Sequence, residues 1–168
     1  AQETSRMLRE GTAKVGIEEL VARLQHRDRR VRLAAQFELV GRGQDGIAAL
    51  DKVSREGQSL IARIHAIWGL GIVARRIDPA IAGRIERLLF DGSDEIRAQT
   101  LRVLSDRTSP TTRLAAEKLC RDPSPRVRFF AAQALGAAQD PLAIAPLFEL
   151  LRRNADEDAM VRHAAVVA

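Results

Sequence analysis

Residues 28–41 read DRRVRLAAQFELVG and residues 125–136 read PRVRFFAAQALG, one phrase, arginine-rich at its start and apolar after it, written twice in one chain. Aligned on its Val-Arg arginine, the phrase recurs at Arg32, Arg63, Arg97, Arg128 and Arg162, at intervals of 31, 34, 31 and 34 residues. One position before the arginine stand Val31, Ala62, Ile96, Val127 and Val161. Three after it stand Ala35, Ala66, Thr100, Ala131 and Ala165, and seven after it Leu39, Leu70, Leu104 and Leu135. Offsets of −1, +3 and +7 share one stripe of a 3.6-residue helix, so each unit carries a helix that buries that stripe.

A second apolar-periodic segment precedes each of these, among them Leu20, Val21 and Leu24, then Ile47, Leu50 and Val53, and further on Leu114 and Leu119. The spacing predicts first helices near 17–25, 46–55, 79–90, 110–120 and 141–153, and second helices near 29–41, 59–75, 94–105, 125–137 and 158–168. Asp78-Pro79, Ser109-Pro110 and Asp140-Pro141 each set a capping side chain before a proline at the first helical position. Gly41, Gly43 and Gly46 mark the first inter-repeat turn, Gly136 is expected to end the fourth second helix, and Pro146 is expected to bend the last first helix. Strand signals are missing.

A two-helix unit of this length cannot bury its own apolar face and stacks on its neighbours. The reading is therefore an all-α, right-handed α-solenoid of about five helical hairpins, with repeats near 17–43, 44–76, 77–107, 108–138 and 139–168 in one domain over 1–168. The second helices carry further apolar residues, Leu33 and Phe37, Ile64 and Trp68, Phe129 and Phe130, which predicts packing on several faces. Trp68, in the slot of Phe37, is expected to be buried.

Composition narrows the function. With 46% hydrophobic residues in 168, the chain can bury one domain's core. No apolar run approaches the roughly 20 residues of a membrane span, and the first residues lack a signal peptide's apolar stretch. The start at Ala1 and the end inside MVRHAAVVA suggest a fragment of a longer chain. A lone cysteine, Cys120, excludes an internal disulfide and a Cys-x-x-Cys site, and reads as a small buried filler. The net charge of +5 comes from 27 basic residues, all but Lys14, Lys52 and Lys118 being arginine, interspersed with 22 acids; tyrosine is absent. That balance supports nucleic-acid binding only weakly.

The pattern Asp28, Val31, Arg32, Ala35, Leu39 resembles the HEAT repeat, particularly the short HEAT-like repeat of phycobilisome lyases, over nearly all of residues 17–168. The second unit departs from it with Ser59 where the acid would stand. More narrowly, DRRVRLAAQFELVGRG, IARIHAIWGLGIVAR, VRFFAAQALG and VRHAAV resemble the HEAT-like region of large bacterial membrane-bound dehydrogenases, in which a sugar-dehydrogenase-like β-propeller is followed by HEAT repeats and a cytochrome c domain. That resemblance implies a connector, periplasmic or membrane-associated, without the catalytic propeller or the haem motif.

Arg32, Arg63, Arg97, Arg128 and Arg162 fall at the edge of the buried stripe, near the turn acids Asp28, Asp91, Asp94, Asp122, Asp156 and Asp158. A charge so placed must be paired, so the arginine column is read as structural, with Asp122 or an acid of the neighbouring turn the expected partner of Arg128. His65 and His163 lack ligand-spaced neighbours and Gly69-Leu70-Gly71 lacks a preceding strand. No catalytic residues, metal ligands or cofactor are expected. The helical wheel offers Glu38, His65, Gln99, Arg102, Gln133 and His163 as a surface for a protein partner, with the molecule monomeric and not inserted in a membrane. The rival reading is nucleic-acid binding through surface arginines such as Arg84, Arg87, Arg113, Arg152 and Arg153.

Overall fold

The computed structural model describes residues 2–106 and 109–168, with side chains from Thr4 onward. Among these residues every regular element is helical: α1 Gln2–Glu10, α2 Ile17–Arg23, α3 Arg29–Gly41, α4 Gly43–Glu56, α5 Leu60–Arg76, α6 Ala82–Glu86, α7 Asp94–Leu104, α8 Pro110–Leu119, α9 Pro125–Ala138, α10 Ile144–Asn154 and α11 Ala159–Val167. Short 3-10 turns, Pro79–Ile81 and Pro141–Ala143, lead into α6 and α10. The boundary expected between the third and fourth repeats, at 107–108, lies outside the described residues.

The chain divides into two compact units, residues 1–84 and 85–168. In the first, α2 and α4 form one layer and α3 and α5 the other, with α4 seated on both second helices and α1 packed on α3. In the second, α7, α9 and α11 lie in sequence side by side, α8 covers α9 and α10 covers α11. Stacked hairpins of this kind are the arrangement of an α-solenoid. Helix α1 carries none of the repeat signature, which is why the periodicity did not announce it.

Each second helix turns its −1, +3 and +7 residues inward: Val31, Ala35, Leu39, Ala66, Leu70, Ile96, Thr100, Val127, Ala131, Leu135 and Val161 are all buried. Each fully buried leucine of the +7 position contributes about 2 kcal/mol by burial alone. The helices start where capping side chains stand. Asp28 accepts from the Arg30 amide, Ser59 from Ala62, Ser93 from Ile96, Ser109 from Thr112 and Asp158 from Met160 and Val161, occupying amides that a helix's first turn leaves without partners.

Several expectations are corrected. Gly136 lies inside α9, which runs to Ala138 and stops at Gln139 with a left-handed φ of 49°. Pro146 sits in the first turn of α10, where its missing N–H is not needed, so the break in that helix is the 3-10 turn before it. The third first helix is shorter than 79–90, reduced to a 3-10 turn and the five residues of α6. Leu114 is 49% exposed; the buried stripe of α8 is Thr112, Ala115, Ala116 and Leu119. Phe37 is 57% exposed and Trp68 only half-buried, because position +5 lies on the far side of the helix from the packed stripe. Between α3 and α4 the chain turns within two residues. Gly43 has φ +60°, and a Cβ on Gly46 would meet the Leu39 carbonyl.

Candidate functional site

Three of the five repeat arginines, Arg32, Arg97 and Arg128, occupy one geometric position. Nη1 of Arg32 donates to the carbonyls of His26 (2.7 Å) and Arg27 (3.0 Å), that of Arg97 to Asp91 (2.8 Å) and Gly92 (3.4 Å), and that of Arg128 to Asp122 and Pro123 (both 3.0 Å). Each arginine thus holds the carbonyls six and five residues before it, at the turn of its own hairpin. A turn carbonyl taken out of water needs such a partner. The residue six before the arginine also works through its side chain. Asp91 Oδ1 accepts from the Ser93 amide (2.9 Å), Asp122 Oδ1 from Ser124 (2.9 Å) and His26 Nδ1 from Asp28 (3.0 Å).

The other arm of the guanidinium reaches onward to the next repeat. In the second unit Nε and Nη2 of Arg97 make a fork to Asp122, at 2.8 and 2.9 Å, with side chains 13% and 6% exposed. Asp122, one of the acids expected to pair with Arg128, instead pairs through its carboxylate with Arg97, while Arg128 takes only its main-chain carbonyl. Arg162 meets Asp156 in an exposed pair. Arg63 donates to the Ser54 carbonyl, 2.8 Å.

In the first unit Arg32 reaches a histidine instead. Its Nε–H donates to His65 Nε2 (3.0 Å), and His65 Nδ1 lies 2.8 Å from Gln36 Oε1. Since Nε2 accepts, Nδ1 carries the proton and donates to Gln36. The ring, 1% exposed, meets the Trp68 edge at 5.1 Å. Burial, then the charges of Arg32 and Arg29, pull its pKa down to about 4, so the imidazole is neutral and its nitrogens are engaged. Cys120 is likewise withdrawn from chemistry. Burial, with Glu117 nearby, pushes its thiol up to about 12, where the thiolate is not formed at neutral pH.

The structure divides the six wheel-derived surface candidates. His65 and Gln99 are buried, 1% and 3% exposed, and Gln99 donates to Glu95; neither offers a surface, because position +2 faces the adjoining second helix. Glu38 is half-buried, held by Arg42 (2.7 Å) and Thr12 (2.8 Å). Arg102, Gln133 and His163 are exposed, and Gln133 and His163 line one groove of about 430 Å³ with Asp106. Sequence reasoning missed Gln36, His26 and Glu86, the last taking hydrogen bonds from Ser109 and Thr112. An alignment column six residues before the arginine, His26, Gly57, Asp91, Asp122 and Asp156, was the available signal for His26.

Among the described residues no His, Cys, Asp and Glu side chains group as three or more to hold a metal ion, and no helix is long and apolar enough to cross a membrane. No curated protein matches the chain. The family model for HEAT repeats matches residues 81–168, more than half of the chain, and the arginine column continues the same unit through the residues before it. HEAT repeats are generally non-catalytic and serve as scaffolds for protein interaction. From the stacked hairpins, the repeated arginine and this match together, the chain belongs to the HEAT repeat family.

Proposed function

We propose that this chain is a non-catalytic scaffold that binds protein through the exposed faces of its second helices, with the repeat arginines holding the stack together and taking no part in binding. One observation carries the reading: the packed helices leave large apolar side chains outside, Phe37 at 57% and Met160 at 61% on second helices, Phe148 at 67% on α10. Apolar surface of this kind on a stacked repeat is what a partner covers. In its finer form the proposal makes the chain the connector between a dehydrogenase-like propeller and a cytochrome c domain in a larger exported protein. Its support is the resemblance of the Asp28 and Ile61 segments, and a Cys-x-x-Cys-His motif downstream in the parent sequence is its check.

The test is site-specific photo-cross-linking in the cells that express the protein, with the reactive residue at Phe37, Gln133 or Met160 and, as a control, at Arg152. The expected result is a discrete protein adduct from at least one second-helix position and none from Arg152. Adducts to nucleic acid alone, or the same pattern from every position, would overturn the scaffold reading.

A further inference from the structure

The far face of the second helices is more continuously apolar in the first unit than on α7 and α9. Positions +1, +5 and +8 of a repeat lie opposite the packed stripe, and −2 lies beside them. In α3 these are Arg30, Leu33, Phe37 and Val40, and in α5 Ile61, Ile64, Trp68 and, one residue on, Ile72. The two helices run in the same direction, since Arg32 meets His65 and Gln36 meets Gly69 at the same separation of 33 residues. Phe37 and Trp68 occupy equivalent repeat positions on adjacent helices, with Leu33, Val40, Ile61 and Ile72 exposed or half-buried above and below them and Ile64 buried. The corresponding positions of α7 and α9 hold Glu95, Ala98, Arg102, Ser105, Arg126, Phe129, Gln133 and Gly136, a face with one large apolar side chain among charged, polar and small ones.

Charge is segregated in the same unit. Helices α3 and α5 carry six arginines against two acids, Glu38 and the capping Asp28, a net of +4. Helices α2 and α4 carry Glu18, Glu19, Asp45, Asp51 and Glu56 against Arg23, Lys52 and Arg55, a net of −2. The basic residues cluster at the two ends of the apolar strip. Arg29 at the start of α3 and Arg76 at the end of α5 are exposed, and neither makes an ion pair among the described residues.

From this juxtaposition we infer that the Phe37–Trp68 face of α3 and α5 is the docking surface for an acidic amphipathic segment of a protein partner, apolar along one side and carrying carboxylates at its ends. The inference rests on the scaffold reading and assigns its surface and its partner's chemistry. A helix laid on such a strip buries its apolar side against Leu33, Phe37, Ile61 and Trp68, while its carboxylates meet the arginines at either end. Single-stranded nucleic acid fits less well. Four of the half-buried or exposed apolar residues, Leu33, Val40, Ile61 and Ile72, are aliphatic and offer a base no stacking platform, and the arginines stand at the ends of the strip without tracking along it.

Trp68 is the chain's sole tryptophan and tyrosine is absent, so intrinsic emission reads this face directly. The probes are an amphipathic helical peptide of roughly 18 residues with leucines along one side and glutamates elsewhere, its counterpart with lysines, and an oligothymidylate. Titrated into the full chain, the glutamate peptide is expected to change Trp68 emission saturably and to weaken as salt rises, with the lysine peptide at least about tenfold weaker. Phe37→Ala should weaken the glutamate peptide about tenfold or more, whereas Phe148→Ala, equally exposed in the other unit, should leave it unchanged. Far-UV circular dichroism and thermal melting of both variants establish that they fold.

Equal binding of the two peptides, no emission change up to about 1 mM, or equal effects of the two variants overturns the inference. Oligothymidylate binding that is tighter and equally sensitive to Phe37→Ala reassigns the face to nucleic acid. Photo-cross-links to a protein from Gln133 or Met160 but not from Phe37 would remove this surface while leaving the scaffold reading in place.

Discussion

At Arg97 the guanidinium serves two masters, the turn carbonyls of its own hairpin and the Asp122 carboxylate of the next. Arg97→Met leaves that carboxylate, 6% exposed, without its counter-charge, and should cost roughly 2 to 4 kcal/mol in urea unfolding. Arg128→Met removes hydrogen bonds to two neutral carbonyls, one part-buried and one exposed, with no carboxylate left unpaired, and should cost about 1 kcal/mol, while Arg162→Met, in a pair more than half exposed on both sides, should scarcely move the midpoint. Equal losses at the three positions would contradict the assignment of Asp122 to Arg97. His65 supplies a second handle. Its folded pKa of about 4 lies below the ordinary histidine value of about 6.5, so the unfolded chain takes up its proton first on acidification. The stability it supports is therefore complete above about pH 6.5 and falls progressively toward pH 4, by up to about 3 kcal/mol. His65→Gln should flatten that part of the stability curve, and an unchanged slope between pH 6.5 and 4.5 would show that another group carries it.

Helices α3 and α4 meet so closely that Gly46 lies against the Leu39 carbonyl. Gly46→Ala must push the two helices apart, since backbone cannot rotate away as a side chain does, and a loss of about 2 kcal/mol or more in thermal or urea unfolding is expected. Gly83, inside α6 with open space where a Cβ would go, is the contrast: Gly83→Ala should be neutral or add up to about 1 kcal/mol. Element positions were legible in advance because caps, prolines and the −1, +3, +7 stripe are local signals. Gly136 misled because a glycine read as a helix terminator sits within α9, where Leu135 and Ala131 keep the stripe packed and the stop falls at Gln139. Trp68 misled for a different reason, since an apolar residue on a helix does not say which side of the helix a neighbour will cover.

Over the whole chain, a stack of repeats is held by nearest-neighbour contacts, so a lesion is felt locally before it is felt globally. Arg97→Met lies in the second unit and the sole tryptophan in the first. Circular dichroism, which sees all helices, should therefore shift to lower urea more than Trp68 emission does; coincident shifts would mark the chain as one cooperative block. The five-fold recurrence at intervals of 31 and 34 residues sufficed to establish helical hairpins, their order and their buried stripe, because helix period and capping act within a few residues along the chain. It could not show that Asp122 belongs to Arg97, that His65 replaces an acid as the partner of Arg32, or that Phe37 stays exposed while Trp68 is half-buried against His65. Those facts depend on which side chains stacking brings within hydrogen-bonding distance and which faces it leaves to water, and contacts between residues 25 to 33 apart are set by packing across helices, which no local period encodes.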